Sequence, residues 1–148
     1  FNTAIGIYPQ YHDAYGELGL AYFRLGNSTQ ALTEYERSIQ YKANNPTVYS
    51  NMGIIYFQQN NFAKAQEVYE KAVSLDPAFV DARRNLGSVY ARTKQFDKAI
   101  EQFEAGLKYD PDNAILNYYL GSSYRDKGDA QRAKQYLDKA RALDPSLK

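Results

Sequence analysis

Apolar and small side chains recur along this chain at steps of three and four. Between His12 and Asn45 they fall at Leu18, Tyr22 and Leu25, and then at Ala31, Tyr35, Ser38 and Ile39. Such steps gather side chains on one face of an α-helix, where strict alternation would mark a strand. Gly26-Asn27-Ser28 separates the two runs with turn and cap formers. The stretch therefore predicts two amphipathic helices joined by a tight turn. Similar punctuation returns at Asn60-Asn61 and at Lys127-Gly128-Asp129.

The whole pattern recurs with a fixed period of 34. Glycines stand at Gly19, Gly53, Gly87 and Gly121, and each is followed at the third position by Tyr22, Tyr56, Tyr90 or Tyr124. Alanines at Ala31, Ala65, Ala99 and Ala133 keep the period, with Tyr35, Tyr69, Phe103 and Leu137 one helical turn on and Pro77, Pro111 and Pro145 closing the units. Residues 12–45, 46–79, 80–113 and 114–147 thus form four complete units in register, preceded by residues 1–11. A glycine before each tyrosine removes a side chain where the two helices cross most closely; anything larger would overpack by about 1–3 kcal/mol. Fifteen tyrosines and seven phenylalanines then find a use as packing. Tyr15, Tyr22, Tyr35, Tyr49, Tyr56, Tyr69, Tyr90, Phe103 and Tyr124 are all expected in the core.

This spacing of glycine, tyrosine, alanine, aromatic and proline resembles the tetratricopeptide repeat (TPR) family, over essentially the whole chain. The resemblance implies an all-α, right-handed superhelical solenoid of antiparallel helix pairs, a single domain over residues 1–148. First helices would line a concave surface and second helices the outside. With helix axes about 8–10 Å apart, four first helices would make a groove about 30–40 Å long. At about 3.3 Å per residue it would hold an extended peptide of about ten residues. The opening FNTAIGIYP, residues 1–9, aligns with YERSIQYKA from Tyr35 and YEKAVSLDP from Tyr69. Residues 1–11 thus read as the end of a truncated preceding repeat, whose exposed Phe1 and Ile5 would favour self-association. Near the other end Lys134 and Arg141 replace apolar residues such as Ile100 and Leu107, as expected of a terminal face of a stack.

Charge and chemistry narrow the function. Of 148 residues 44% are hydrophobic and 24% charged, and 18 basic side chains against 17 acidic leave a net charge of +1. No global field draws the chain to a polyanion. Cysteine is absent, which removes thiol nucleophiles and thiolate metal sites. No run approaches the length of a membrane span, so a soluble chain is expected, with the cytoplasm favoured. His12 is the sole histidine, too few for a zinc pair or a histidine-centred relay, and is read as a surface residue. No phosphate-binding or nucleophile-elbow motif is present. Neither catalysis nor a cofactor is expected. Asn27-Ser28-Thr29 satisfies the glycosylation pattern, but its place in a turn favours a capping role.

In the register of the resemblance, the groove face carries Asp13, Gly16, Glu17, Leu20 and Phe23 on the first unit. Thr47, Ser50, Asn51, Ile54 and Phe57 follow on the second; Asp81, Arg84, Asn85, Ser88 and Arg92 on the third; Ile115, Tyr118, Tyr119, Ser122 and Arg125 on the fourth. The Lys/Asn clamp of chaperone-binding members is matched only at its middle asparagine, and that use is disfavoured. Asn51 and Asn85, one period apart, are similar instead to the asparagine ladder of O-linked N-acetylglucosamine transferase repeats. An amide both donates and accepts, which suits a peptide backbone. The candidate peptide-binding residues are Leu20, Phe23, Ser50, Asn51, Ile54, Phe57, Arg84, Asn85, Ser88, Arg92, Tyr119 and Arg125, of which Leu20, Phe23, Ile54 and Phe57 would supply an apolar half and Arg84, Arg92 and Arg125 a basic one. The leading expectation is a non-catalytic scaffold that binds a protein or peptide ligand there. Alternatives are the substrate-recruiting arm of a larger enzyme such as a glycosyltransferase, and RNA binding through arginine and tyrosine, which the balanced charge disfavours.

Overall fold

A computed structural model describes residues 12–147. Among these the chain is all helix: α1 (His12–Arg24), α2 (Ser28–Tyr41), α3 (Pro46–Gln58), α4 (Phe62–Leu75), α5 (Val80–Arg92), α6 (Phe96–Leu107), α7 (Ala114–Lys127) and α8 (Ala130–Leu143). They fall into two compact units, one ending at Leu75 and one beginning at Asp76. In the first, α1 pairs with α2 and α3 with α4, and α2 packs on α3. The second has the same arrangement, with α5 on α6, α7 on α8 and α6 on α7.

Each helix pair turns on a residue in the left-handed region. Gly26 (φ 78°), Asn60 (φ 57°), Lys94 (φ 60°) and Gly128 (φ 93°) occupy the same position in successive repeats. The following residue's N–H then reaches back to the periodic tyrosine, as Asn27 N to Tyr22 O at 2.9 Å and Asp129 N to Tyr124 O at 2.8 Å. This satisfies carbonyls that a helix end leaves open. The next helix starts at once, because the same residue caps it. Asn27 Oδ1 accepts from Gln30 N, Asn61 Oδ1 from Lys64 N and Asp129 Oδ1 from Arg132 N. Asn45 and Asn113 cap α3 and α7 in the same way. Asn27 thus has the capping role read from its sequence. Lys94 carries no turn signal, yet the repeat register places it at the same left-handed position.

Within each pair the glycine lies on a side chain of the second helix. A β-carbon at Gly19 would fall 2.7 Å from the Tyr35 ring, and one at Gly53 2.5 Å from Tyr69. In the second unit the distances are 2.5 Å from Gly87 to Phe103 and 2.8 Å from Gly121 to Leu137. Tyr35, Tyr69 and Phe103 are among the largest fully buried side chains. Each contributes on the order of 1.5–3 kcal/mol by leaving water. Tyr15, Tyr56, Tyr90 and Tyr124 are buried as expected, whereas Tyr22 and Tyr49 keep partial exposure. Leu25 departs from the expected face altogether. It lies just beyond the end of α1 and is 80% exposed.

Tyr124 ties three helices of the second unit together. Its hydroxyl donates to Glu104 Oε1 on α6 at 2.7 Å, its ring lies 4.4 Å from the Arg132 guanidinium on α8, and it stacks on Tyr136. Burial foremost, then the bond to and charge of Glu104, push its phenol up to about 12. Burial likewise pushes Tyr35 up to about 12. On the outer face of α8, Lys134 and Arg141 both pair with Asp138, where Ile100 on α6 is buried. The sequence-based expectations for Phe1 to Pro9 and for self-association through Phe1 and Ile5 lie outside the described residues, as does the side chain of His12.

Gly53→Ala is expected to cost about 1–3 kcal/mol of stability, because the Tyr69 ring has nowhere to move. Gly16→Ala is the control: its β-carbon would meet its nearest neighbours, Ser38 and Val48, at 3.5 Å. Relief of the glycine penalty in a helix then predicts a gain of about 0.5–1 kcal/mol, both read by urea denaturation. Alkali provides a second test. Tyrosines ionise near pH 10 in an unfolded chain, so raised folded values stabilise the fold fully below about pH 10, and that contribution is lost as pH climbs towards about 12. The urea midpoint should decline across that interval, and decline less in a Tyr35→Phe plus Tyr124→Phe variant.

Candidate functional site

The first helices α1, α3, α5 and α7 each bury one face against their partners and leave another open. On α3 the packed side consists of Met52, Ile55 and Tyr56. Asn51, Ile54 and Phe57 stand off it at partial exposure, as Leu20 and Phe23 do on α1. Phe57 also meets Phe62 of α4 edge to face, with ring centres 5.5 Å apart, so part of its surface is already covered within the unit. Ser50 is corrected: it is only 4% exposed, facing the packing rather than a ligand.

Tyr35 on α2 passes beneath Gly19, and its hydroxyl is buried without a hydrogen-bond partner of normal geometry. Sequence reasoning placed Tyr35 in the core by its ring and passed over its oxygen. The available signal was the contrast with Phe103, which fills the same repeat position without a hydroxyl.

In the second unit, Arg84, Asn85 and Ser88 are half-buried on α5, and Arg92 is exposed near its end. Arg84 Nη1 pairs with Asp81 Oδ1 at 3.0 Å, while its Nη2 donates to Asn85 Oδ1 at 3.4 Å. Ser88 Oγ donates to the Arg84 carbonyl one turn back. Arg125 is exposed on α7 and pairs with Asp126 at 3.5 Å. Basic charge is thus present but partly answered on its own helices. Tyr119 is 38% exposed and lies stacked on Phe103, ring centres 5.7 Å apart and planes 17° from parallel. Tyr118 meets it edge-on, and Ile115, one turn earlier, is 42% exposed. On the same helix Ser122 Oγ and the side-chain Oδ1 of Asn117 are buried without partners.

The candidate residues therefore assemble as two half-surfaces, one per unit. Neither half brings together a nucleophile, a base and an orienting group. Among the described residues no cluster of three or more His, Cys, Asp or Glu could hold a metal ion, and no helix is long and apolar enough to cross a membrane. An open cleft of about 530 Å³ in the first unit is lined by other residues, Tyr49, Glu67, Val68, Glu70, Lys71 and Ser74.

Family models described as TPR repeat or tetratricopeptide repeat match residues 19–60, 56–118 and 90–147, overlapping along most of the chain. Comparison of the sequence with curated proteins gave no match. Among solved structures, a crystal structure of MamA is 23% identical, with 98% of this chain and 85% of that chain covered and a TM-score of 0.90. MamA from Desulfovibrio magneticus RS-1 is 25% identical, with 90% and 76% covered and a TM-score of 0.84. PilF of Pseudomonas aeruginosa is 22% identical, with 96% and 65% covered and a TM-score of 0.85. The likeness to these structures is one of fold.

Tyr119 joins the candidate surface to the core, and that link can be measured. Tyr119→Ala should cost about 0.5–1.5 kcal/mol through loss of the stacked pair, whereas Tyr119→Phe should unfold at the same urea concentration as the parent. Equal midpoints for all three chains would show that the stack does not hold Tyr119 in place.

Proposed function

Because the chain belongs to the tetratricopeptide repeat family and is built as a protein-interaction scaffold, we propose that it holds an extended segment of a partner protein on the open faces of its first helices. The observation that carries this reading is apolar surface left uncovered on helices whose other face is already packed. Ile115 and Tyr119 stand open on α7 while Leu116, Leu120 and Tyr124 are buried behind them, and Ile54 stands off the packed side of α3. Uncovered apolar side chains grouped among polar ones are the usual mark of a contact surface.

The polar groups suit a peptide. Asn51 and Asn85 offer amides that match main-chain groups whatever the side chains of the segment are. On the second unit, Arg84, Arg92 and Arg125 favour acidic residues in a bound segment. Two amide contacts of about 0.5–1.5 kcal/mol each cannot bind alone, so the apolar residues must supply most of the affinity. RNA binding gains no support from a chain whose net charge is only +1.

A decapeptide selected on the whole chain from a displayed random library provides the probe. Replacing Asn51 and Asn85 together with alanine should weaken its binding by about fivefold to a hundredfold, with the urea midpoint preserved. Unchanged affinity in the folded double variant would remove both asparagines from the contact.

A further inference from the structure

The open cleft of the first unit, lined by Tyr49 of α3 and by a stretch of α4, shares no residue with the candidate peptide surface. Its volume of about 530 Å³ is a usual one for a ligand site. Other repeats of the same chain fill this place themselves. Tyr15, one period before Tyr49, is only 6% exposed, and Tyr41 lies flat on it with ring centres 5.6 Å apart and planes 4° from parallel. Arg37, one period before Lys71, pairs with Glu34 at 3.1 Å. One period after Tyr49 stands Arg83, whose Nη1 donates at 3.1 Å to Gln102 Oε1, the counterpart of the cleft residue Val68. A ring or a guanidinium thus closes the place in the first and third repeats. In the second, Leu75 stands where Tyr41 would be, and Tyr49 keeps partial exposure with no ring or cation partner among the described residues.

We propose that this cleft takes an arginine side chain of a partner protein, its guanidinium laid on the Tyr49 ring and paired with Glu67. The lining carries two exposed carboxylates, Glu67 and Glu70, against one ammonium, Lys71. That balance favours a cation. A tyrosine face attracts cations within about 6 Å, and the chain uses this attraction at three other tyrosines. Lys64 Nζ lies 5.3 Å from the centre of the Tyr56 ring, Lys98 Nζ 5.4 Å from Tyr90, and the Arg132 guanidinium 4.4 Å from Tyr124. Arginine fits better than lysine, because its flat guanidinium stacks on a ring and can give two donors to one carboxylate. Lys71 opposes the incoming charge, so its removal strengthens the site. The contact does not depend on whether a segment occupies the first-helix faces.

Titration of the whole ¹⁵N-labelled chain with acetyl-Gly-Gly-Arg-Gly-Gly-amide, followed by NMR, tests this. The backbone amides of Tyr49, Glu67 and Lys71 should shift and saturate. A matched peptide carrying citrulline, flat but neutral, should leave them unmoved, and one carrying lysine should bind more weakly by about twofold or more. Tyr49→Leu and Glu67→Gln should each weaken the arginine peptide by about two- to fivefold. Tyr49→Phe, which keeps the ring, should bind as the parent does, and Lys71→Gln should tighten binding by about twofold. Glu67→Gln changes an exposed residue and carries the test if Tyr49→Leu fails to fold. Absence of shifts, equal binding of the citrulline peptide, or full affinity in Glu67→Gln would overturn the proposal. An anionic occupant would reverse both charge effects, weakening in Lys71→Gln and tightening in Glu67→Gln, and would overturn it as well. Equal binding of the lysine peptide would rule out the stacked guanidinium. Shifts of the same amides on concentrating the chain without peptide would give the cleft to a second copy instead.

Discussion

Everything else in the fold depends on four places where a first helix presses bare backbone against a side chain of its partner. Contact at Gly19, Gly53, Gly87 and Gly121 sets how close the two helices of a pair lie. That distance in turn fixes the depth to which the side chain from the second helix reaches. Were the helices held apart by a methyl group, the Tyr35 ring would no longer fill the space beneath Gly19, and Phe103 would no longer lie flat against Tyr119. Close packing in proteins leaves little slack for such a shift. Core and surface are therefore one construction, with the ring serving as filler at one end and as support for an exposed residue at the other.

The turns add the second constraint. A left-handed residue after each first helix and a capping side chain immediately behind it reverse the chain within a single short turn. Where the cap is missing, as at Gln95 and Phe79, the helices still form, because burial of Ala99, Ile100 and Phe103 on one side and Ala82, Leu86 and Val89 on the other outweighs a single unfilled cap. Tertiary packing, more than local preference, is what holds these helices.

Helix pairs were legible because their signals are backbone signals repeated four times. Glycine at a crossing, asparagine at a cap and a period of 34 each have a physical cause that acts through a few neighbouring residues. Lys94 was not legible by type, since nothing in a lysine announces a positive φ; only its register with Gly26, Asn60 and Gly128 does. Leu25 misled because an apolar residue on the right face of a helical wheel means nothing once the helix has stopped. At the candidate surface, the first-helix residues could be named by register, yet Ser50 turned inward and Phe57 lies partly against Phe62. Tyr35 was missed for a different reason: the pattern that identified its ring as packing is silent about where its oxygen ends.

The span from Phe103 to Tyr119 crosses a boundary that the sequence period draws between one repeat and the next. Dividing the chain at that boundary places the two rings in different repeats, although they stack on one another. Recombination that exchanged whole repeats there would keep every helix hairpin intact and still separate the buried ring from the one stacked on it. Exchange within the repeat, at the turn between first and second helix, would carry the stack over unbroken. The hairpin and the stack that joins it to the next are offset by half a repeat along the same chain.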